Sequence, residues 1–113
     1  METNPNPPPH FQEKDRLIST YSNDQEIRGL VIEFINEMPK RIRTANEAFM
    51  RGDRLRLQLW AHQIKGGAGG YGFLEISNIA AELENTLSSN KSSEEVFLAL
   101  LKVIDICERA SVD

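Results

Sequence analysis

At 113 residues the chain is long enough for one domain with a single modest core and too short for two. Hydrophobic residues make up 40% and charged residues 27%, an ordinary globular balance, and a net charge of −4 argues against a nucleic-acid-binding module. No apolar run approaches the roughly 20 residues that span a bilayer, and the single cysteine, Cys107, can build neither an internal disulfide nor a zinc site.

Residues 1–11 hold Pro5, Pro7, Pro8 and Pro9, have few backbone donors and little to bury, and are expected to form a disordered tail with His10 at its edge. They lack the basic-then-apolar layout of a signal peptide, so a cytoplasmic setting is expected. The folded domain is expected over residues 12–113, opening with a short helix over 12–19. Asn23 followed by Glu26 is a capping-box signature, and Ile27, Leu30, Val31, Phe34, Ile35 and Met38 then recur at three- and four-residue steps. Pro39 removes one backbone hydrogen bond and is expected to kink or divide this helix. Ile42, Ala45, Ala48 and Phe49 continue the stripe to Gly52-Asp53, a stop and restart.

A third helical stretch runs from about Asp53 into a glycine cluster, and a fourth from about Phe73 to Leu87. The apolar side of the fourth carries Phe73 or Leu74, Ile76, Ile79, Ala80, Leu83 and Leu87. Ser92 with Glu95 forms another capping box, opening a last helix through Val96, Phe97, Leu100, Leu101, Ile104, Cys107 and Ala110. No stretch alternates over strand length. The fold class is therefore all-α: an antiparallel four-helix bundle with a short N-terminal helix and a disordered N-terminal tail. Met38, Met50 and the aromatic residues are read as core.

Charge is uneven. Lys40, Arg41, Arg43, Arg51, Arg54 and Arg56 face only Glu47 and Asp53 within the same stretch, and the chain from Glu75 onward is acidic. The basic stretch reads either as a solvated helix face or as a docking surface.

The third helix carries the candidate chemistry. With His62 at zero and about 100° per residue, Leu57, Trp60, Ala61, Ile64, Ala68 and Tyr71 fall roughly between 160° and 260°, the core side. His62 then points to solvent. Within roughly 60° of it lie Leu55, Leu59, Lys65, Gly66 and Gly69. An exposed histidine alone means little, but its neighbourhood is unusual. Glycine inside a helix costs about 1 kcal/mol relative to alanine, so Gly66 is a stability loss that opens space beside the imidazole. Lys65 adds a mobile cation. Cleared access with a nearby cation suits a phosphoryl group, whose transfer depends on positioning and charge stabilisation, and neutral imidazole is a competent nucleophile near pH 7.

The run Ala61-His62-Gln63-Ile64-Lys65-Gly66-Gly67-Ala68, then Gly72 and later Leu83-Glu84, resembles the histidine-phosphotransfer (HPt) domain family. Phe34-x-x-x-Met38-Pro39 and the Gly52-Asp53 turn resemble that family too, so the likeness spans roughly residues 24–87. The resemblance implies a four-helix bundle with His62 as phospho-acceptor, Lys65 stabilising phosphoryl oxygens, Gly66 opening the approach and Glu84 orienting the imidazole. For Glu84 the other reading is a plain solvated helix residue. Docking is expected through Leu55, Gln58, Leu59 and Gly69. The partners implied are response-regulator receiver domains and a hybrid sensor histidine kinase, with the chain a monomeric relay that has no ATP site or cofactor of its own, Mg²⁺ belonging to the partner. Ile64 replaces the family's usual leucine, and the extra glycines Gly67, Gly69 and Gly70 are expected to fray the helix end.

Two other readings lose ground. Gly67-Ala68-Gly69-Gly70-Tyr71-Gly72 matches a dinucleotide-binding pattern, but it follows an amphipathic helix and no strand. His10 and His62 are the only histidines, which argues against a metal centre. A helical adaptor that binds a receiver-like partner through the same face without phosphorylation stays open. Met1 and the compact length favour a free-standing protein.

Overall fold

The structure is a computed structural model that describes residues 15–113. It contains β1 (Leu17–Ile18), α1 (Arg28–Met50), α2 (Arg54–Gly70), α3 (Leu74–Ser88), α4 (Ser93–Glu108) and β2 (Ala110–Ser111). The proline-rich tail expected over 1–11, and residues 12–14 of the expected short helix, lie outside the described residues.

Asp15 is in a 3-10 turn, and the remainder of that expected helix, residues 16–19, is not helical. Leu17 pairs with Ala110 and Ile18 with Ser111 in a parallel two-stranded ladder. Beyond it the buried Ser19 donates its hydroxyl to the Tyr71 carbonyl (2.6 Å) and accepts the Tyr21 N–H (3.0 Å). The backbone groups of this segment are thus taken up by the far end of the chain and by the α2–α3 turn. Two-residue strands are too short to leave an alternating pattern, so periodicity could not have found them.

Side-chain N-caps open α2 and α4, whereas α1 and α3 have none. Asp53 accepts the Arg56 N–H at 3.0 Å and opens α2. Ser92 and Glu95 form the expected capping box at α4. The box expected from Asn23 and Glu26 does not form. Asp24, one residue on, accepts the N–H groups of Glu26 (2.9 Å) and Ile27 (3.2 Å) with its charged carboxylate, and α1 begins at Arg28. Pro39 lies inside α1 without dividing it. Buried Met38 and Ala45 on either side of the proline pin the helix to the core there.

The core draws on all four helices, including Val31, Phe34, Leu57, Trp60, Ile64, Ile76, Leu83, Leu100 and Val103. Each fully buried side chain of this size contributes about 1.5–3 kcal/mol. The expected apolar stripes are corrected on α1 and α4, and on α3 the two alternatives are resolved. Met50, at the end of α1, is 81% exposed. At the start of α3 it is Phe73, not Leu74, that is buried. On α4 the stripe is rotated: Val103 and Ile106 are buried while Phe97 and Leu101 are exposed. The charged residues Glu94, Glu95, Lys102, Asp105 and Glu108 project from the other side of α4, so the helical period does mark this inner face, and Phe97 and Leu101 border the charged side.

The indole N–H of Trp60 donates to the Arg41 carbonyl at 2.8 Å, joining α2 to α1. Phe34 of α1 packs against Tyr71 (5.2 Å between ring centroids) and Phe73 (6.1 Å). Along α2 and α3, Gly69 lies by Ser77 and His62 by Glu84, which sets the edge on which the candidate site is built.

Candidate functional site

On α2, Leu57, Trp60, Ala61, Ile64 and Ala68 are buried, as the helical phase predicts, with Tyr71 half-buried at the C-cap. Their burial turns His62 outward, and its side chain is 65% exposed. One turn on, Lys65 is half-buried on the edge facing α3. On α3, burial of Ala80, Leu83 and Leu87 fixes the rotation that brings Glu84 to the same edge.

Glu84 joins the two. Its Oε2 lies 3.0 Å from His62 Nδ1, and its Oε1 lies 2.8 Å from Lys65 Nζ. The Glu84 side chain is only 22% exposed. The Lys65 ammonium beside Glu84 holds its carboxyl below the usual carboxylate range. Partial burial works in the opposite direction, and the His62 ring adds to the lowering. An ionised carboxylate can only accept, so the Nδ1 that meets it carries the proton. The lone pair of the neutral ring is then on Nε2. Geometrically Glu84 is thus more than a solvated helix residue.

The glycines divide into two kinds. A Cβ built at Gly66 or Gly70 meets nothing within 4 Å, so both positions leave bare helix, Gly66 one turn from His62. A Cβ at Gly67 would lie 3.2 Å from Phe34 Cε1, and one at Gly69 would lie 3.4 Å from Ser77 Oγ. Gly67 therefore serves close helix packing, and Gly69, though exposed, lies against α3. The expected fraying does not occur, because α2 continues through Gly70 and the Tyr71 N–H bonds back to Gly67 (3.0 Å) and Ala68 (3.2 Å). Gly72, with φ of +86°, turns the chain into α3 where a Cβ would lie 2.6 Å from Ser19 Oγ.

Leu55 and Leu59 are 70% and 56% exposed, and Gln58 is half-buried. A shallow groove between α1 and α2, lined by Thr44, Leu55, Arg56, Leu59, Trp60 and Gln63, runs beside them. Part of the basic stretch is structural: Arg41 pairs with Glu37 (3.1 Å) and sits 5.9 Å over the Phe34 ring, and Arg54 donates to the Lys91 carbonyl (2.7 Å). His10 lies outside the described residues. Among the described residues no group of three or more His, Cys, Asp and Glu side chains is disposed to hold a metal ion. Ser77, whose hydroxyl donates to the Lys65 carbonyl at 2.9 Å, left no signal in the sequence.

The model of the Hpt domain family matches residues 29–110. The chain belongs to the Hpt family. It therefore takes part in histidine phosphotransfer in two-component signalling, where Hpt domains act as carriers that interact with receiver and kinase domains. A comparison with curated proteins and one with solved structures find no match. No helix among the described residues of this Hpt protein is long and apolar enough to cross a membrane.

Proposed function

We propose that this Hpt protein, as a cytoplasmic monomer with an antiparallel bundle, accepts a phosphoryl group on His62 from a receiver domain's aspartyl phosphate and passes it to another receiver. A hybrid sensor histidine kinase would supply the first phosphoryl group. The observation that carries the reading is the exposed His62 ring tied through Nδ1 to a carboxylate that also binds Lys65. The antiparallel sense is supported by the order of contacts, ascending along α3 as it descends along α2.

In the uptake step the Nε2 lone pair attacks phosphorus. A P–N bond forms as the P–O bond of the mixed anhydride breaks, and the partner's aspartate leaves as a carboxylate. The Nδ1 proton stays on the ring, and the Glu84 carboxylate faces the positive charge that the ring gains. Glu84 orients the imidazole, Lys65 supplies positive charge for the phosphoryl oxygens, and Gly66 leaves the approach open. The return step is the reverse, with a receiver aspartate attacking phosphorus and imidazole leaving. The chain contributes no nucleotide site and no cofactor, and the divalent cation stays with the partner's carboxylates.

A phospho-aspartate can reach Nε2 only if the partner's surface lies over the neighbouring helical turns. Leu55, Gln58 and Leu59 on one side and Gly66 and Gly69 on the other are therefore its contacts. The decisive test is His62→Gln against a phosphorylated receiver domain. The variant should keep the helical content of the wild type and take up no label, while wild-type label should be lost in acid and persist in base, as a phosphoramidate requires. Equal uptake by both proteins would remove His62 as the acceptor. Unlabelled but undiminished binding of the receiver by both would favour an adaptor.

A further inference from the structure

We propose that Ser77 is a positioning residue of this site: its hydroxyl, bound to the Lys65 carbonyl, sets the α2–α3 register at which Glu84 reaches His62 and Lys65 together. The functional half of this inference rests on His62 being the acceptor. The geometric half does not.

Ser77 Oγ donates to the Lys65 C=O at 2.9 Å, and Lys65 Nζ reaches Glu84 Oε1 at 2.8 Å. Lys65 is thus held from α3 at both its backbone and its side chain. Ser77 and Glu84 are seven residues apart, two helical turns, so they share one stripe of α3 about 10 Å long. That stripe touches α2 at two places, and two contacts on a rigid rod fix its register where one would allow it to slide.

The place of the first contact matters. Four of the five residues after Lys65 are glycines, so the helix on that side resists displacement poorly. The Lys65 carbonyl has a second lone pair beyond the one used within the helix, and Ser77 occupies it. Gly69 borders the contact: a Cβ there would touch the same hydroxyl at 3.4 Å, an ordinary van der Waals distance. A slip of about 1 Å along the helices would carry Glu84 away from one of its two partners, and away from His62 it would stretch the Nδ1 contact past good hydrogen-bond geometry. With Nδ1 released, the ring can exchange to the Nε2–H tautomer, whose Nε2 has no lone pair to attack with.

The experiment uses the full chain as wild type, Ser77→Ala and Ser77→Thr, the last retaining a hydroxyl. Nitrogen chemical shifts of the His62 ring report the tautomer, and transfer from a purified phosphorylated receiver domain gives kcat and KM. Ser77→Ala should raise the Nε2–H share and lower kcat about fivefold, the scale of one lost hydrogen bond, with KM unchanged. Ser77→Thr should restore both. If Ser77→Ala lowers only the unfolding midpoint and leaves tautomer and kcat as in wild type, the hydroxyl is a packing feature and the proposal fails. A wild-type chain that takes no label from any receiver would instead sink the acceptor reading, and the tautomer measurement would still decide the role of Ser77.

Discussion

α2 and α4 have 17 and 16 residues and each buries five of them, yet they are stabilised in opposite ways. α4 is supported from within. It has a complete capping box, Glu94 and Glu95 in its first turn where the helix dipole favours negative charge, and no glycine. α2 has one side-chain cap and no acidic residue in its first turn, and its last five residues include four glycines. Relative to alanine those glycines cost about 4 kcal/mol in all, at about 1 kcal/mol each. Support comes from outside the helix: Phe34 against Gly67, Ser77 on the Lys65 carbonyl, and Ser19 with Thr20 around Gly72. Of the two, the helix that exposes the His62 ring has the weaker backbone, and its neighbours hold it.

If that contrast is right, the outside support of α2 should be the more sensitive target. Gly72→Ala forces a side chain into the left-handed region, 2.6 Å from two hydroxyl oxygens, and should cost about 2–4 kcal/mol in urea unfolding. A loss below about 0.5 kcal/mol would show that the turn can relax and does not brace α2. Ser92→Ala removes an internal brace of α4 and should cost about 1 kcal/mol, with no effect on phosphoryl uptake by His62. Altered uptake would tie α4 to the site.

Gly66→Ala should act in the other direction. Open space around the position means the helix gains up to about 1 kcal/mol in stability. Transfer from a phosphorylated receiver should slow, while labelling by acetyl phosphate, a donor with no bulk, should not. Equal slowing with both donors would mean that the glycine does not serve partner access.

Acid should have the mildest effect. Because Lys65 and then His62 hold the Glu84 carboxyl below its usual range, the folded state binds its proton less readily than the unfolded state. The contribution of Glu84 is therefore complete above the ordinary glutamate range and declines as pH falls through the lowered folded value. The stability difference between wild type and Glu84→Gln should be flat near neutrality and shrink below about pH 4. A difference unaffected by acid would leave Glu84 without the ion pair on which the geometry depends.

Residue patterns were sufficient for much of this protein because short-range chemistry writes itself into them. The four helices, the Ser92–Glu95 cap, the outward rotation of His62 and the proximity of Lys65 and Gly66 all follow from spacing along one chain segment. The match to the His-x-x-Lys-Gly run carried Glu84 as an implication, and its carboxylate lies 3.0 Å from His62 Nδ1.

What spacing could not decide depends on residues far apart in sequence. The parallel pairing of Leu17–Ile18 with Ala110–Ser111 stands where the later part of a helix was expected, because the hydrogen-bond partners of that segment lie at the other end of the chain. Packing also decided which apolar residues at the border of the α4 stripe are covered: Ile106 is buried while Phe97 and Leu101 are exposed. The division of the glycines into open and packed ones, and the hydroxyl of Ser77 on Lys65, exist only where α1 and α3 close on α2. Local periodicity specifies what a helix can bury, and only the assembled bundle determines what each buried or bare position touches.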